Sequence, residues 1–367
     1  VNNGRGLRQD TAEKANVCAA IGRSDRSNTM KATINDVSRL AKVSISTVSH
    51  VLNGTRPVNE DTRQRVLRAI EETGYIPNLM AKGLKQAQTQ TIGLLVTDIK
   101  NEFFTDVVHI IDTEARKDGY QVFVSSSDED PQKEHEIIRA FCERRVDGII
   151  WSPTRDSDKF SLEYLRRMQV PVVMIDRSIG GDFDFVGVEN YESTKLLVRY
   201  VVGLGYRKIG FLAGFGGIST TEERIRGYND VIRECRLEQN DSWLIAGDYR
   251  KNMLTEAILR AMTSGNSPTA WIAANNRMVY SAMRAFTRLG LRVPEDVALA
   301  SFGDFEWAEY LEPRLTALAQ PCYQIGIEAL RLLKERIGNR QAPVQRISLA
   351  PLLVKRQSCG EAVKGTR

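Results

Sequence analysis

Between residues 33 and 75 apolar side chains return every three or four positions, the period of a helix with one buried face; from Thr91 onward they gather into short continuous runs. In the first region Ile34, Val37, Leu40 and Ala41 share one helical face, and Thr33 with Asp36 forms a capping box at its start. After a tight turn at Lys42 and Val43, Ser44 caps a second helix whose buried stripe is Val48, Val51 and Leu52. Ser46, His50 and Asn53 point the opposite way, with Ser49 at the flank. Asn59 caps a third helix with Val66, Leu67 and Ile70 inward, Arg63, Arg65 and Arg68 outward, and Gly74 as a left-handed stop. The pattern predicts three short helices around a miniature core.

The later runs, TIGLLV, YQVFV, VDGIIW and VPVVMI, and then KIGFLAG, TAWIAA, VALASF and LTALAQ, are rich in Val and Ile and are separated by segments of helical period. Buried parallel strands read this way, so the expected class is α/β: a helical head followed by two lobes of doubly wound parallel sheet. The expected boundaries are a disordered extension over 1–29, a head over 30–77, a hinge and linker over 78–88, a two-lobed body over 89–360 and a flexible tail over 361–367. Within the body, about 90–190 and 323–345 are assigned to one lobe and 191–320 with 346–357 to the other.

Charge sharpens this division. Residues 30–88 carry nine Lys and Arg against five Asp and Glu, and residues 1–29 carry five against three, so the whole net charge of +5 sits in the first quarter of the chain. A basic head on a near-neutral body fits a polyanion partner. The composition, 42% hydrophobic and 26% charged, is that of a globular protein. No apolar run reaches the roughly 20 residues of a membrane span, and the first 29 residues lack a secretory pattern, which points to a cytoplasmic protein without membrane partners. Those residues are also readable as sequence upstream of a start at Met30, or as a basic arm touching phosphates. Five scattered cysteines and three histidines (His50, His109 and His135) offer no metal spacing and little material for a nucleophile pair, so no cofactor or metal is expected.

A helix pair joined by a tight turn, the second helix displaying hydroxyls and a histidine, has the form of a helix-turn-helix that can enter a major groove, although helical spacing alone reads equally as a solvated helix on a small bundle. Those side chains meet base edges, and the backbone at the helix start meets phosphate. The stretch TINDVSRLAKVSISTVSHVLNGTRPVNEDTRQRVLRAIEETGYIPN, residues 33–78, resembles the DNA-binding domain of the lactose/galactose-repressor family, sharing the pattern D-V-[AS]-x-x-A-x-V-S-x-x-T-V-S-x-V-[LI]-N, then V-x-x-x-T-R, then G-Y-x-P-N. The resemblance implies a DNA-facing set of Thr33, Ser44, Ile45, Ser46, Thr47, Ser49, His50 and Asn53, with Tyr75, Asn78 and Leu84 from the run into the hinge. In that family the hinge NLMAKGLK, residues 78–85, folds when two subunits meet on an operator, and the leucine matching Leu84 wedges into a minor-groove step. Gly83 departs from the family's helix former and removes about 1 kcal/mol of helix propensity, which makes hinge folding more dependent on DNA and dimer contacts.

The resemblance extends to about residue 357 through RRVDGIIW, LGYRKIGFLAG, ERIRGY and LGLRVPEDVALASFGD, and implies a core like a periplasmic sugar-binding protein closing on a small effector. Ligands of open parallel sheets bind past the carboxyl ends of strands, which selects Asp98, Phe103, Phe104, Ser127, Asp128, Asp176, Arg177, Asn275 and Asp304, with Arg224 opening the helix after GFGGISTTE. In the family the arginine matching Arg224 and a polar residue near Asp304 hold the effector, although Gly303 stands at the matching place and Asn276 replaces a common aspartate. An arginine fork with an opposed carboxylate and an aromatic cover suits a sugar-like molecule.

Two rival readings remain open at this point. A nucleotide-cofactor enzyme would use the glycine-rich loop, but Ser219 occupies its third glycine position and no nucleophile elbow or phosphate-loop lysine is present. A sugar-binding receptor without a DNA role would share the body but not the head. The expectation is therefore a non-enzymatic, ligand-controlled transcriptional regulator, a repressor, acting as a homodimer on a pseudo-palindromic operator, with no leucine-heptad tail after Arg356 to make tetramers.

Overall fold

The computed structural model describes residues 32–75, 88–155, 157, 160–248 and 253–360. The chain divides into two units, Val1–Lys85 and Gln86–Arg367. In the first unit lie α1 (Ile34–Ala41), α2 (Ile45–Asn53) and α3 (Glu60–Thr73). The box at the start of α1 is formed: the Asp36 carboxylate accepts from the Thr33 hydroxyl at 2.7 Å and its backbone N–H at 2.9 Å, and these bonds hold its carboxyl below the ordinary value. Val37, Ala41, Val48, Val66 and Ala69 make the core, with Val51, Leu52, Ile70 and Tyr75 packed partly against it. Leu40 and Leu67, expected inside, are 48% and 41% exposed. The inward line on α3 runs Val66, Ala69 and Ile70, at i, i+3 and i+4, which leaves Leu67 off that line.

The second unit holds two six-stranded sheets. In the first lobe β1 (Thr91–Val96), β2 (Gln121–Ser126), β3 (Gly148–Trp151), β4 (Val172–Ile175), β5 (Asp184–Val188) and β11 (Arg346–Leu349) lie in the order β11-β5-β4-β3-β1-β2. In the second, β6 (Ile209–Ala213), β7 (Leu244–Ala246), β8 (Ala270–Ala273), β9 (Ala298–Phe302), β10 (Thr316–Ala319) and β12 (Leu352–Val354) lie in the order β12-β10-β9-β8-β6-β7. The pairing is parallel except between β10 and β12, so the expected parallel sheet acquires one antiparallel edge. The helices that matter for the site are α4 (Glu102–Lys117), α5 (Pro131–Glu143), α6 (Ser161–Met168), α7 (Tyr191–Gly203), α8 (Ser219–Glu234), α9 (Met253–Met262), α10 (Asn276–Leu289) and α11 (Cys322–Gly338).

The lobe boundary corrects one expectation. Residues 346–349 join the first lobe, not the second, because β11 pairs with the open edge of β5 from Arg346 opposite Phe185 to Leu349 opposite Val188. Only β12 and the turn after it return to the second lobe, so the chain crosses between lobes near residues 190, 321 and 350. In each lobe the strand order reverses between the first and third strands, β1 and β3 or β6 and β8. That reversal opens a crevice at the carboxyl ends of the strands.

Behind the first sheet, Glu134 of α5 is fully buried, and among the described residues no cation pairs with it: its Oε2 accepts from Trp151 Nε1 at 2.9 Å and the Thr154 N–H at 2.7 Å, while Oε1 finds no partner among them. Burial raises its carboxyl to about 7, against the lowering effect of those hydrogen bonds. A carboxyl whose folded pKa lies above the unfolded value holds its proton more tightly when folded, so stability is full below about 4.5 and is lost as pH rises through about 7. In denaturant unfolding at a series of pH values, Glu134→Gln should gain on the native protein by about 3 kcal/mol between about pH 4.5 and about pH 8. A constant difference across that range would contradict this.

Candidate functional site

The polar face of α2 is held by its own hydrogen bonds. Ser44 Oγ caps the helix by accepting from the Thr47 N–H at 3.1 Å and lies 2.7 Å from Ser46 Oγ and 2.8 Å from Thr47 Oγ1. His50 Nδ1 sits 2.8 Å from Thr55 Oγ1, which fixes the ring, and Asn53 Nδ2 donates to Ser49 O at 2.8 Å. Ile45 is 47% exposed at the first helical position. Thr33 and Ser44 thus stand at helix starts, and Ser46, Ser49, His50 and Asn53 form the surface that sequence periodicity selected. Tyr75 is partly packed on the core of the unit, and Asn78 and Leu84 lie outside the described residues.

In the body, a cleft between the lobes is lined by Asn101, Phe103, Phe104, Asp176 and Arg177 from the first and by Phe215, Thr220, Thr221, Arg224, Asn275 and Asn276 from the second, with Gln320 at a crossover. The space beside Arg224 is closed down to about 50 Å³, and an adjoining pocket of about 250 Å³ between the lobes, lined by Pro153, Thr154, Ser178, Gly217 and Ser219, shares Arg177 and Ile218 with it. A small-molecule pocket normally runs to at least roughly 300 Å³, so seating a ligand beside Arg224 requires the lobes to part there.

Arg224 is the anchor of this cleft. Gly227, one turn along α8, lets that helix press onto α7: a Cβ there would come within 2.6 Å of the Tyr191 carbonyl. The close approach brings Arg224 Nε to Asn190 Oδ1 at 2.8 Å, Nη1 to the Ala274 carbonyl, and the guanidinium over the Phe302 ring at 3.7 Å. Burial lowers its pKa to about 10, so it stays charged at neutral pH. From the first lobe Asp176, in a left-handed backbone conformation (φ 62°), supplies the opposing carboxylate, raised by burial and held back by Arg177 and Arg224. Arg177 donates both arms of its fork to Glu129, at 2.7 and 2.9 Å, so it braces the wall instead of offering a free cation.

Of the expected ligand residues, Phe103, Phe104, Asp176, Arg177, Arg224 and Asn275 line the cleft. Asp98, Ser127, Asp128 and Asp304 do not. Asp98 accepts from the Lys100 N–H at 3.0 Å in the turn before α4, Ser127 is buried in the first lobe, and Asp128 lies on the surface with Lys133. Asp304 is bound by both arms of Arg356, at 2.9 and 2.8 Å. Sequence reading passed over Asn101, Thr220, Thr221, Phe215 and Gln320. A signal existed for the first three, because each stands at the start of a helix that follows a strand after a short loop.

The geometry defines a two-lobed ligand-closing body carrying a helix-turn-helix head. Residues 33–78 match the model of "Bacterial regulatory proteins, lacI family", and residues 198–359 match that of a periplasmic binding protein-like domain. The HTH-type transcriptional repressor PurR of Aliivibrio salmonicida is 32% identical over 328 residues, 89% of this chain and 98% of the relative. The crystal structure of the lac repressor dimer bound to operator and the anti-inducer ONPF is 26% identical, covers 90% of this chain and 99% of its own, and superposes with a TM-score of 0.77. A complex of the transcriptional regulator CelR with cellobiose is 27% identical, covers 89% and 99%, and superposes at 0.66. The chain belongs to the lacI family of bacterial regulatory proteins. It is accordingly a DNA-binding transcriptional regulator with an effector-binding, periplasmic-binding-protein-like body.

Because Asp304 is engaged by Arg356, its substitution should act on stability. Asp304→Asn is expected to lower the unfolding free energy by about 2 kcal/mol, read from the urea midpoint. An unchanged midpoint would free Asp304 for a ligand role.

Proposed function

We propose that this protein is a cytoplasmic repressor, working by binding and not by catalysis, that holds a pseudo-palindromic operator as a homodimer and is switched by a sugar-like effector in the cleft. The observation that carries the reading is the cleft itself: a buried guanidinium and carboxylate on opposite lobes, amides and hydroxyls between them, and Phe103 and Phe104 as an apolar wall. That set satisfies a polyhydroxylated ring with one apolar face. Solved relatives hold ONPF and cellobiose, which supports that ligand class.

On the DNA side, Ser46, Ser49 and Asn53 meet base edges with His50, whose Nδ1 is occupied by Thr55 so that Nε2 serves the base. Thr33 and Ser44 meet phosphate at the helix starts. Tyr75, Asn78 and Leu84 complete the contact, Leu84 as the minor-groove wedge. Dimerisation follows from specificity, since one small head spans too few base pairs for a unique address.

The test starts by recovering bound sites from a random duplex pool. Affinity for the recovered site should fall roughly a hundredfold or more between about 50 and about 200 mM salt, as displaced counterions require; a flat profile would contradict DNA binding through phosphates. His50→Ala should narrow the gap between the best site and single mismatches by about 1 kcal/mol. Arg224→Ala should keep operator affinity while the response to sugars and sugar acids disappears. The opposite allocation in gel-shift titrations would overturn both roles.

A further inference from the structure

One carboxylate ties the lobes together at the edge of the cleft. Glu102, the first residue of α4 in the first lobe, accepts three hydrogen bonds from the second lobe: Asn276 Nδ2 to Oε2 at 2.6 Å, Tyr280 hydroxyl to Oε1 at 3.0 Å and Trp307 Nε1 to Oε1 at 3.3 Å. The donors are organised independently of Glu102. Asn276 and Tyr280 lie one turn apart on α10, and Asn276 Oδ1 accepts from the Arg277 N–H at 3.0 Å, which fixes the amide with its donor side toward Glu102. Trp307 is clamped between rings, 5.0 Å from Tyr280 and 3.9 Å from Phe305. Asn276 is 3% exposed.

We infer that Glu102 is the latch that holds the cleft shut, and that asparagine stands at 276 because an aspartate there would face Glu102 as a like charge. Opening the cleft to admit a ligand pulls α4 from α10 and breaks all three bonds at once. The latch also shares Asn276 with the cleft wall and neighbours Phe103 and Phe104, so closure and ligand contact draw on the same few residues. That latch strength sets how readily an effector enters rests on the functional reading above; that Glu102 holds the lobes closed does not.

The test therefore uses the full chain alone, without DNA or effector. Trp151, Trp243 and Trp271 are fully buried, so acrylamide quenching reports on Trp307 at the latch. Asn276→Asp and Glu102→Ala should each raise the quenching constant at least about twofold, as the open population grows. The double variant Glu102→Gln with Asn276→Asp reverses the polarity of the central bond, the amide introduced on α4 donating to the carboxylate introduced on α10, and should quench like the native protein. Circular dichroism checks that each variant is folded, and Glu102→Ala carries the test if Asn276→Asp is not. Native-like quenching in both single variants, or a double variant that quenches as strongly as Asn276→Asp, would overturn the latch while leaving operator binding intact.

Discussion

Burying Arg224 and Asp176 on opposite lobes of one narrow cleft is the constraint on which the body depends. An ion moved from water into a protein interior loses several kcal/mol of hydration unless hydrogen bonds replace it. Arg224 regains them from Asn190, the Ala274 carbonyl and the Phe302 ring, and each of these partners requires a particular piece of fold: the first crossover, the end of β8 and the end of β9. Gly227 is needed so that α8 comes close enough for the arginine to reach them. Asp176 depends in turn on Arg177, which is steadied by Glu129. The doubly wound sheets bring these strand ends together; the charges then give the crevice its chemistry.

The head solves a different problem with the same economy. A surface meant for base edges has to be polar, small and rigid. Ser44, Thr47, Thr55 and the Ser49 carbonyl hold the residues proposed to read bases through local hydrogen bonds, while Val37, Val48 and Val66 fix the helices beneath. A DNA acceptor or donor then meets side chains that have already lost much of their rotamer freedom.

Much of this was legible in the amino-acid order, and the reasons for the rest are specific. The capping box at Thr33, the Ser44 cap and the periodicity of Val48 are local signals, so the head could be read residue by residue. The buried strands β1, β3, β4, β6, β8, β9 and β10 announced themselves as apolar runs, as did β2, an edge strand whose Phe123 and Val124 are exposed instead of buried; β5, buried but with DFVGV interrupted by Asp and Gly, and the short β7, β11 and β12 did not. Asp304 was misplaced because its partner Arg356 comes 52 residues later, and no periodicity reports such a pairing. Glu129 and Glu102 were missed for the same reason: a charge's role depends on which distant side chain it meets, and only the folded chain decides that.

The central claim is that occupancy of the cleft and grip on duplex DNA are two ends of one equilibrium. Linkage makes the claim quantitative: the factor by which an effector changes the operator dissociation constant must equal the factor by which operator changes the effector's. The most direct measurement is a calorimetric titration of the effector identified by screening, made on the free protein and on the operator complex and compared with operator titrations at saturating and zero effector. The account predicts equal factors well above one. An effector that binds with the same affinity whether or not operator is present would contradict it.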